Sequence, residues 1–242
     1  MDADWAPCGA SGNISFDPAK FPLARYASAK VLEHVCLAGS DLGNALPNLL
    51  HTFFASEIVF RRWQSSQLRH SSPDWEATIC PLYYTCVHGL KQTTKLLLQD
   101  SVSANDIGAG RGACIAVSAS GHHLEVIKLL LESSANVNAE GGQYGTALQC
   151  AASSGHLEVI KLLLESGANV NVEAGKYGST LQRAASNGHL EVVKLLLKSS
   201  ANVNAEGGQY GNALQCAASG GHLEVVKLLL EGGANVNAEG GR

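Results

Sequence analysis

The sequence lacks an excess of either charge. Net charge is −4, with 8 basic and 10 acidic residues in 1–106 and 9 and 11 in 107–242. Neither half carries the basic surplus that a phosphate backbone requires, which argues against a nucleic-acid partner. No apolar run approaches the roughly 20 residues of a membrane-spanning helix. The opening Met1-Asp2-Ala3-Asp4-Trp5 is acidic where a secretory signal is basic and then apolar. The seven cysteines are odd in number and irregularly spaced, so no disulfide framework is implied. Cys150 and Cys216 share a position that Arg183 takes between them, and a site open to arginine is not a metal ligand's. Small, half-buried thiols in a reducing compartment are the reading, which points to the cytoplasm, with the nucleus open to the chain as well.

What the sequence does have is self-similarity. Gly155-His156-Leu157-Glu158-Val159-Ile160-Lys161-Leu162-Leu163-Leu164 recurs with its first leucine at Leu124, Leu157, Leu190 and Leu223, 33 residues apart, and a worn copy lies at Lys95-Leu96-Leu97-Leu98. A fixed period of this size marks a stacked solenoid whose units bury their apolar faces only against one another. The frame gives copies at 74–106, 107–139, 140–172, 173–205 and 206–238; the third and fifth differ at five positions.

Each copy predicts two short helices. The first starts at Thr146-Ala147-Leu148-Gln149, a hydroxyl residue three before a glutamine, which is the pattern of a capping box. Ser179-Thr180-Leu181-Gln182 repeats it, and Asn212-Ala213-Leu214-Gln215 keeps it with asparagine as cap. Ala151-Ala152 offer a thin face for close approach, and Gly155 turns the chain. Leu157, Ile160, Leu163 and Leu164 mark the second helix by their spacing, with Glu158 in its first turn and Lys161 toward solvent. Gly167 closes it. Helices of about nine residues are too short to stand alone, so lateral stacking must hold them.

These residues resemble the ankyrin-repeat family over 74–238. Its Thr-Pro-Leu-His motif stands here as Thr146-Ala147-Leu148-Gln149 and Cys80-Pro81-Leu82-Tyr83, and its Gly-His pair as Gly155-His156, Gly188-His189 and Gly221-His222. The family's first-helix histidine is replaced by glutamine, which is expected to take over its hydrogen bonds. The resemblance implies an all-α solenoid that binds a protein partner on its concave face, formed by finger-like connections and the exposed side of the first helices. Carried onto this frame, that face offers Gln143, Tyr144, Ser153 and Ser154 in the third repeat. Lys176, Tyr177, Arg183, Ser186 and Asn187 follow in the fourth, and Gln209, Tyr210 and Ser219 in the fifth. Tyrosine suits such a face, giving large contact area at low entropic cost.

Residues 1–15, rich in Gly, Ser, Ala and Asp, read as disordered. Residues 16–73 read as a helical leader: Asp17-Pro18 opens a helix, and Leu46 to Trp63 supply one or two more, packed on the first repeat. Ser71-Ser72-Pro73-Asp74-Trp75 looks like the joint. Phe21-Pro22-Leu23-Ala24-Arg25-Tyr26-Ala27 and Phe60-Arg61-Arg62-Trp63 resemble the stretch before the ankyrin array in fungal STAND (NACHT) receptors. That resemblance implies the ligand-sensing part of a defence or incompatibility receptor as the alternative function. Leu46-Pro47 and Trp63 also resemble an F-box at too short an interval, which leaves a ubiquitin-ligase adaptor as the weaker third.

No residues assemble into chemistry. Gly108-Ala109-Gly110-Arg111-Gly112 lacks the third glycine of the dinucleotide fingerprint and the Lys-Ser/Thr of a P-loop, and it aligns with the connection at 141–145. His123, His156, His189 and His222 fall one per layer, roughly 10 Å apart, too far to share an ion bound at about 2 Å, and read as structural. Glu140, Glu173, Glu206 and Glu239 form a solvated edge. The expectation is a non-enzymatic module without cofactor or metal. Glu239-Gly240-Gly241-Arg242 reads as the start of a sixth copy, so Leu223, Val226, Leu229 and Leu230 are expected to lack cover on one side and to favour self-association.

Overall fold

The computed structural model describes residues 80–100, 102–105, 112–140, 145–172, 178–207 and 211–238, with residues 48, 50 and 51 of the leader. The rest of the leader, the joint at 71–75, the glycines before Gly112 and the tips of the connections lie outside the described residues.

The described chain is all-helical and runs as five helix pairs: α1 (Pro81–Val87) with α2 (Lys91–Gln99), α3 (Cys114–Ser120) with α4 (Leu124–Glu132), α5 (Ala147–Ser154) with α6 (Leu157–Glu165), α7 (Thr180–Ser186) with α8 (Leu190–Lys198), and α9 (Ala213–Ser219) with α10 (Leu223–Glu231). Each odd-numbered helix packs on the next odd-numbered helix and on its own partner. The approach is closer along the odd-numbered row than along the even-numbered row. Alanine explains this: Ala116, Ala119, Ala151, Ala152, Ala184 and Ala185 are fully buried and leave no side-chain bulk between neighbouring axes. Layers that sit closer on one side bend the stack, so the odd-numbered helices line the concave face.

The expected caps are present. Thr146 Oγ1 accepts the Gln149 N–H at 3.3 Å while Gln149 Oε1 accepts the Thr146 N–H at 2.9 Å. Ser179 with Gln182 and Asn212 with Gln215 close the same box, and Cys80 Sγ accepts the Tyr83 N–H at 3.4 Å in the first repeat. A cap of this kind stabilises a helix by about 1 kcal/mol. The glutamine also reaches the following layer: Gln149 Nε2 donates to Gly178 O at 3.0 Å, and Gln182 Nε2 to Gly211 O at 2.6 Å. Glutamine therefore supplies the cross-repeat bonds expected of it. Gly145 and Gly178 make room for it, since each has positive φ (76° and 73°) and a Cβ there would collide with the amide oxygen of Gln149 or Gln182.

Helices α4, α6, α8 and α10 start on histidine without a side-chain cap and carry glutamate in the first turn, whereas α2 starts on Leu90. The glutamate pairs with the lysine three residues on, as in Glu158–Lys161 at 2.7 Å, on exposed surface. The buried side differs from the one the spacing suggests. Val159, Ile160 and Leu163 are buried in α6, whereas Leu157 and Leu164 are half-buried. In α10 the buried pair is Val225 and Leu229, while Val226 is half-buried and Leu223 and Leu230 are 62% and 43% exposed. Three consecutive leucines cannot all face one way on a helix, and only packing decides which of them turns inward.

Two hydrogen-bond ladders run through the stack. Nε2 of His123, His156, His189 and His222 meets the carbonyl of Val87, Ser120, Ser153 and Ser186 of the preceding layer, each at 3.0 Å. These histidines are structural, as their spacing suggests. Asn105, Asn138, Asn171 and Asn204 each accept a backbone N–H of the next layer, from Asn136, Asn169, Asn202 and Asn235, at 2.7–2.8 Å. The same side chains donate to Ser134 O, Gly167 O, Ser200 O and Gly233 O. From the leader, Leu50 is buried in the core cluster of the array, and His51 Nε2 lies 2.6 Å from Asp100 Oδ2 just after α2.

One layer breaks the histidine pattern. His123, His189 and His222 lie against Gly89, Gly155 and Gly188, where a Cβ would strike the imidazole. Before His156 the equivalent position is His122, held at φ 60° like the glycines it replaces. The two rings stack, with centroids 4.6 Å apart and planes 12° from parallel. The expected one histidine per layer holds for the ladder, and the second repeat adds His122 where the later repeats have the glycine of Gly-His.

Candidate functional site: the inner-helix face

The face lined by α1, α3, α5, α7 and α9 is built from a repeated register. Small residues and Cys150 are buried between layers, and the position of Ser153 looks outward. Ser153 is half-buried and Ser154 exposed at the end of α5; Ser186, Asn187 and Ser219 are exposed at the ends of α7 and α9. Part of this polar fringe already serves the fold. The carbonyls of Ser153 and Ser186 hold His189 and His222, and Asn187 Nδ2 donates to Arg183 O at 3.0 Å. Gln143, Tyr144, Lys176, Tyr177, Gln209 and Tyr210 lie outside the described residues.

Arg183 is half-buried midway along α7. Its guanidinium leans on the third repeat, since Nη2 would be 3.3 Å from a Cβ at Gly145. The same charge acts on Cys150, one layer back. Burial pushes the Cys150 thiol up to about 11, with Arg183 opposing it; burial also raises Cys216. Both thiols stay protonated near neutral pH, so neither is a nucleophile and neither offsets the guanidinium. Among the described residues, Cys86, Cys114, Cys150 and Cys216 are buried and Cys80 is half-buried. Among the five inner helices, Arg183 is the one Lys, Arg, Asp or Glu.

Sequence reasoning passed over the face's first two layers. Tyr84 and Val117 take the register of Cys150 and Arg183, and Val87 takes that of Ser153. Tyr84 and Val117 are half-buried and Val87 is 39% exposed. The signal was the 33-residue frame itself, which carries the register into the worn copies where the motif residues are lost.

Among the described residues, no three His, Cys, Asp or Glu side chains gather to hold a metal ion, and no helix is long and apolar enough to cross a membrane. Outside the inner face, the first-turn glutamates of α4, α6, α8 and α10 pair with lysine at the surface. Lys91 and Lys128 both bond Glu125, at 2.8 and 2.9 Å, and hold its carboxyl down to about 2.

A family model for ankyrin repeats, spanning three copies, matches residues 82–174 and 173–240. Those segments take in well over half of the chain, and the chain belongs to the ankyrin-repeat family. No curated protein matches it.

Proposed function

We propose that this chain is a non-catalytic recognition module that holds a protein partner on its inner-helix face. The observation that carries the reading is Arg183. It sits beside buried alanines on a face whose helices carry no other Lys, Arg, Asp or Glu, at a position where both neighbouring layers have cysteine. Arginine is a common anchor of interfaces. Ser153, Ser154, Ser186, Asn187 and Ser219 are assigned to the same face as adaptable polar contacts. On the repeat frame alone, we assign the finger residues Gln143, Tyr144, Lys176, Tyr177, Gln209 and Tyr210, which lie outside the described residues, to the same partner. The free cysteines suit a reducing, intracellular compartment.

The test uses two surface variants of the full chain as bait in native lysate. In one, Ser154, Ser186 and Ser219 become lysine on the inner face. In the other, Lys161, Lys194 and Lys227 become serine on the outer helices. A partner held by the native chain and by the outer-face variant, and lost from the inner-face variant, is the expected result. Retention by all three removes the inner face as the binding site.

A further inference from the structure

The fifth repeat carries the same connectors as the others and leaves several of them unused. Between layers, an imidazole enters against a glycine of the layer before it: a Cβ at Gly89, Gly155 or Gly188 would strike His123, His189 or His222. Gly221 has the same register and a positive φ of 71°, yet nothing among the described residues comes within 4 Å of a Cβ there. Nε2 of His189 and His222 meets Ser153 O and Ser186 O, and no described ring reaches Ser219 O, the next in that row. Asn171 and Asn204 each bond two backbone groups of the following layer. Asn237, next in that ladder, gives its backbone N–H to Asn235 Oδ1, and its side chain bonds none of the described residues. Leu223, Leu230 and Val236 are exposed where Leu190, Leu197 and Val203 are half-buried. The third repeat shows what such a face accepts. It differs from the fifth at five positions of 33, and none of the residues just named in the fifth is among them. The fourth repeat covers it, bringing His189 to Gly155 and Ser153 O, and the Asn202 N–H to Asn171 Oδ1.

We propose that the side of the fifth repeat turned away from the fourth is a docking face for a partner protein. That partner carries a helix pair of the same repeat type, with a histidine at the start of its second helix. The imidazole enters the slot at Gly221 and meets Ser219 O, and the side chain of Asn237 accepts a backbone N–H. Leu223, Leu230 and Val236 are covered. Burial of these apolar side chains supplies the affinity. The slot and the asparagine fix the register, because a layer that arrives displaced leaves both polar groups covered and unbonded. A second copy of this chain fits the face less well. Its α2, the second helix of the first described pair, starts on Leu90, which has no ring nitrogen for Ser219 O. Two copies meeting through their fifth repeats bring two glycines together and no imidazole. Binding here needs neither Arg183 nor the serine hydroxyls of the inner-helix face.

The experiment titrates the full chain into a fluorescent peptide with the sequence of residues 173–205, the layer that covers the equivalent face of the third repeat, and follows anisotropy. A longer probe, residues 173–242 with Leu223→Glu and Val236→Glu so that it does not stack on itself, supplies a second helix pair to order the first. A scrambled peptide of the same composition is the control. Saturable binding of both probes and not of the control is expected. His189→Ala in the probe weakens binding about tenfold, the equivalent of one hydrogen bond. Leu223→Glu together with Val236→Glu in the full chain, at side chains already exposed and so tolerated by the fold, abolishes it. Failure of both probes to saturate, or binding that survives the two glutamates, overturns the proposal. So does a dimer of the full chain alone, seen in sedimentation velocity and dissolved by the same two substitutions, because a second copy is then the occupant.

Discussion

Residues 140–172 and 206–238 differ at five positions of 33, yet many of their shared side chains meet different surroundings. Leu148, Gln149, Ala152 and Ile160 are buried in the third repeat, and their counterparts Leu214, Gln215 and Val226 are half-buried and Ala218 exposed in the fifth. Leu157, Leu164 and Val170 are half-buried, while Leu223, Leu230 and Val236 stand 62%, 43% and 72% exposed. Other positions do not change at all: Cys150 and Cys216, Ala151 and Ala217, Val159 and Val225, and Leu163 and Leu229 are buried in both. Since the sequences are nearly the same, the difference is a direct reading of direction. The first group faces the following repeat, and the second faces its own partner helix and the preceding repeat. Only the first group's stability depends on what comes next along the stack.

The largest expected effect is at Ile160. Truncation to alanine in this filled layer removes a fully buried side chain and costs about 3 kcal/mol, while Val226→Ala in the half-covered layer costs about 1 kcal/mol. Urea denaturation of the two variants measures the gap. Equal losses would mean that the fifth repeat's far side is covered in solution, and sedimentation velocity at rising concentration would then show whether a second copy covers it.

A smaller effect separates the glutamines. Gln149→Ala removes a box partner and the bond to Gly178 from a buried site, and costs about 2 kcal/mol. Gln215 donates to Ala238 O at 3.1 Å from a half-buried site, and Gln215→Ala costs about 1 kcal/mol. Thermal melts of the paired variants rank them; a reversed order would break the directional reading.

The smallest effect is one of pH and tests the layer that departs from the pattern. Burial lowers the His156 proton affinity below its ordinary 6.5, with His122, His189 and His123 adding repulsion and the bond to Ser120 O opposing both. The folded chain thus binds fewer protons than the unfolded chain. Stability is complete above that ordinary value and falls as pH drops through it. Urea midpoints at about pH 7.5 and about pH 5.5 should differ in that sense. His122→Gly removes the stacked ring and one repulsive neighbour and should reduce the difference. An unchanged midpoint in acid would show that the stack carries no such sensitivity.

Much of the fold was legible because the signals are local. Thr146, Ser179 and Asn212 cap the helices they precede, and the glutamine three residues on each time fixes where the helix begins. Direction was not legible. Leu162, Leu163 and Leu164 look alike in a sequence, and the choice of Leu163 as the buried one follows from how two helices meet. The His122–His156 stack was missed for a related reason: the residues lie 34 apart in sequence, and only the superposition of layers makes them neighbours. Arg183 was visible as the odd residue of its register. The apolar Tyr84, Val87 and Val117 were not, because they stand in copies whose motifs had worn away.

The asparagine ladder bears on how such a chain can change over generations. Asn138 holds the backbone N–H of Asn169, and Asn171 holds that of Asn202, at the same separation and with the same geometry. Copying or deleting one whole period leaves every asparagine facing a correct amide. Any other change of length between two rungs leaves an amide without its acceptor and an asparagine without its amide. The ladder therefore acts as a ratchet on heredity, letting the array lengthen or shorten in whole steps, and the near identity of residues 140–172 and 206–238 is what such a step leaves behind.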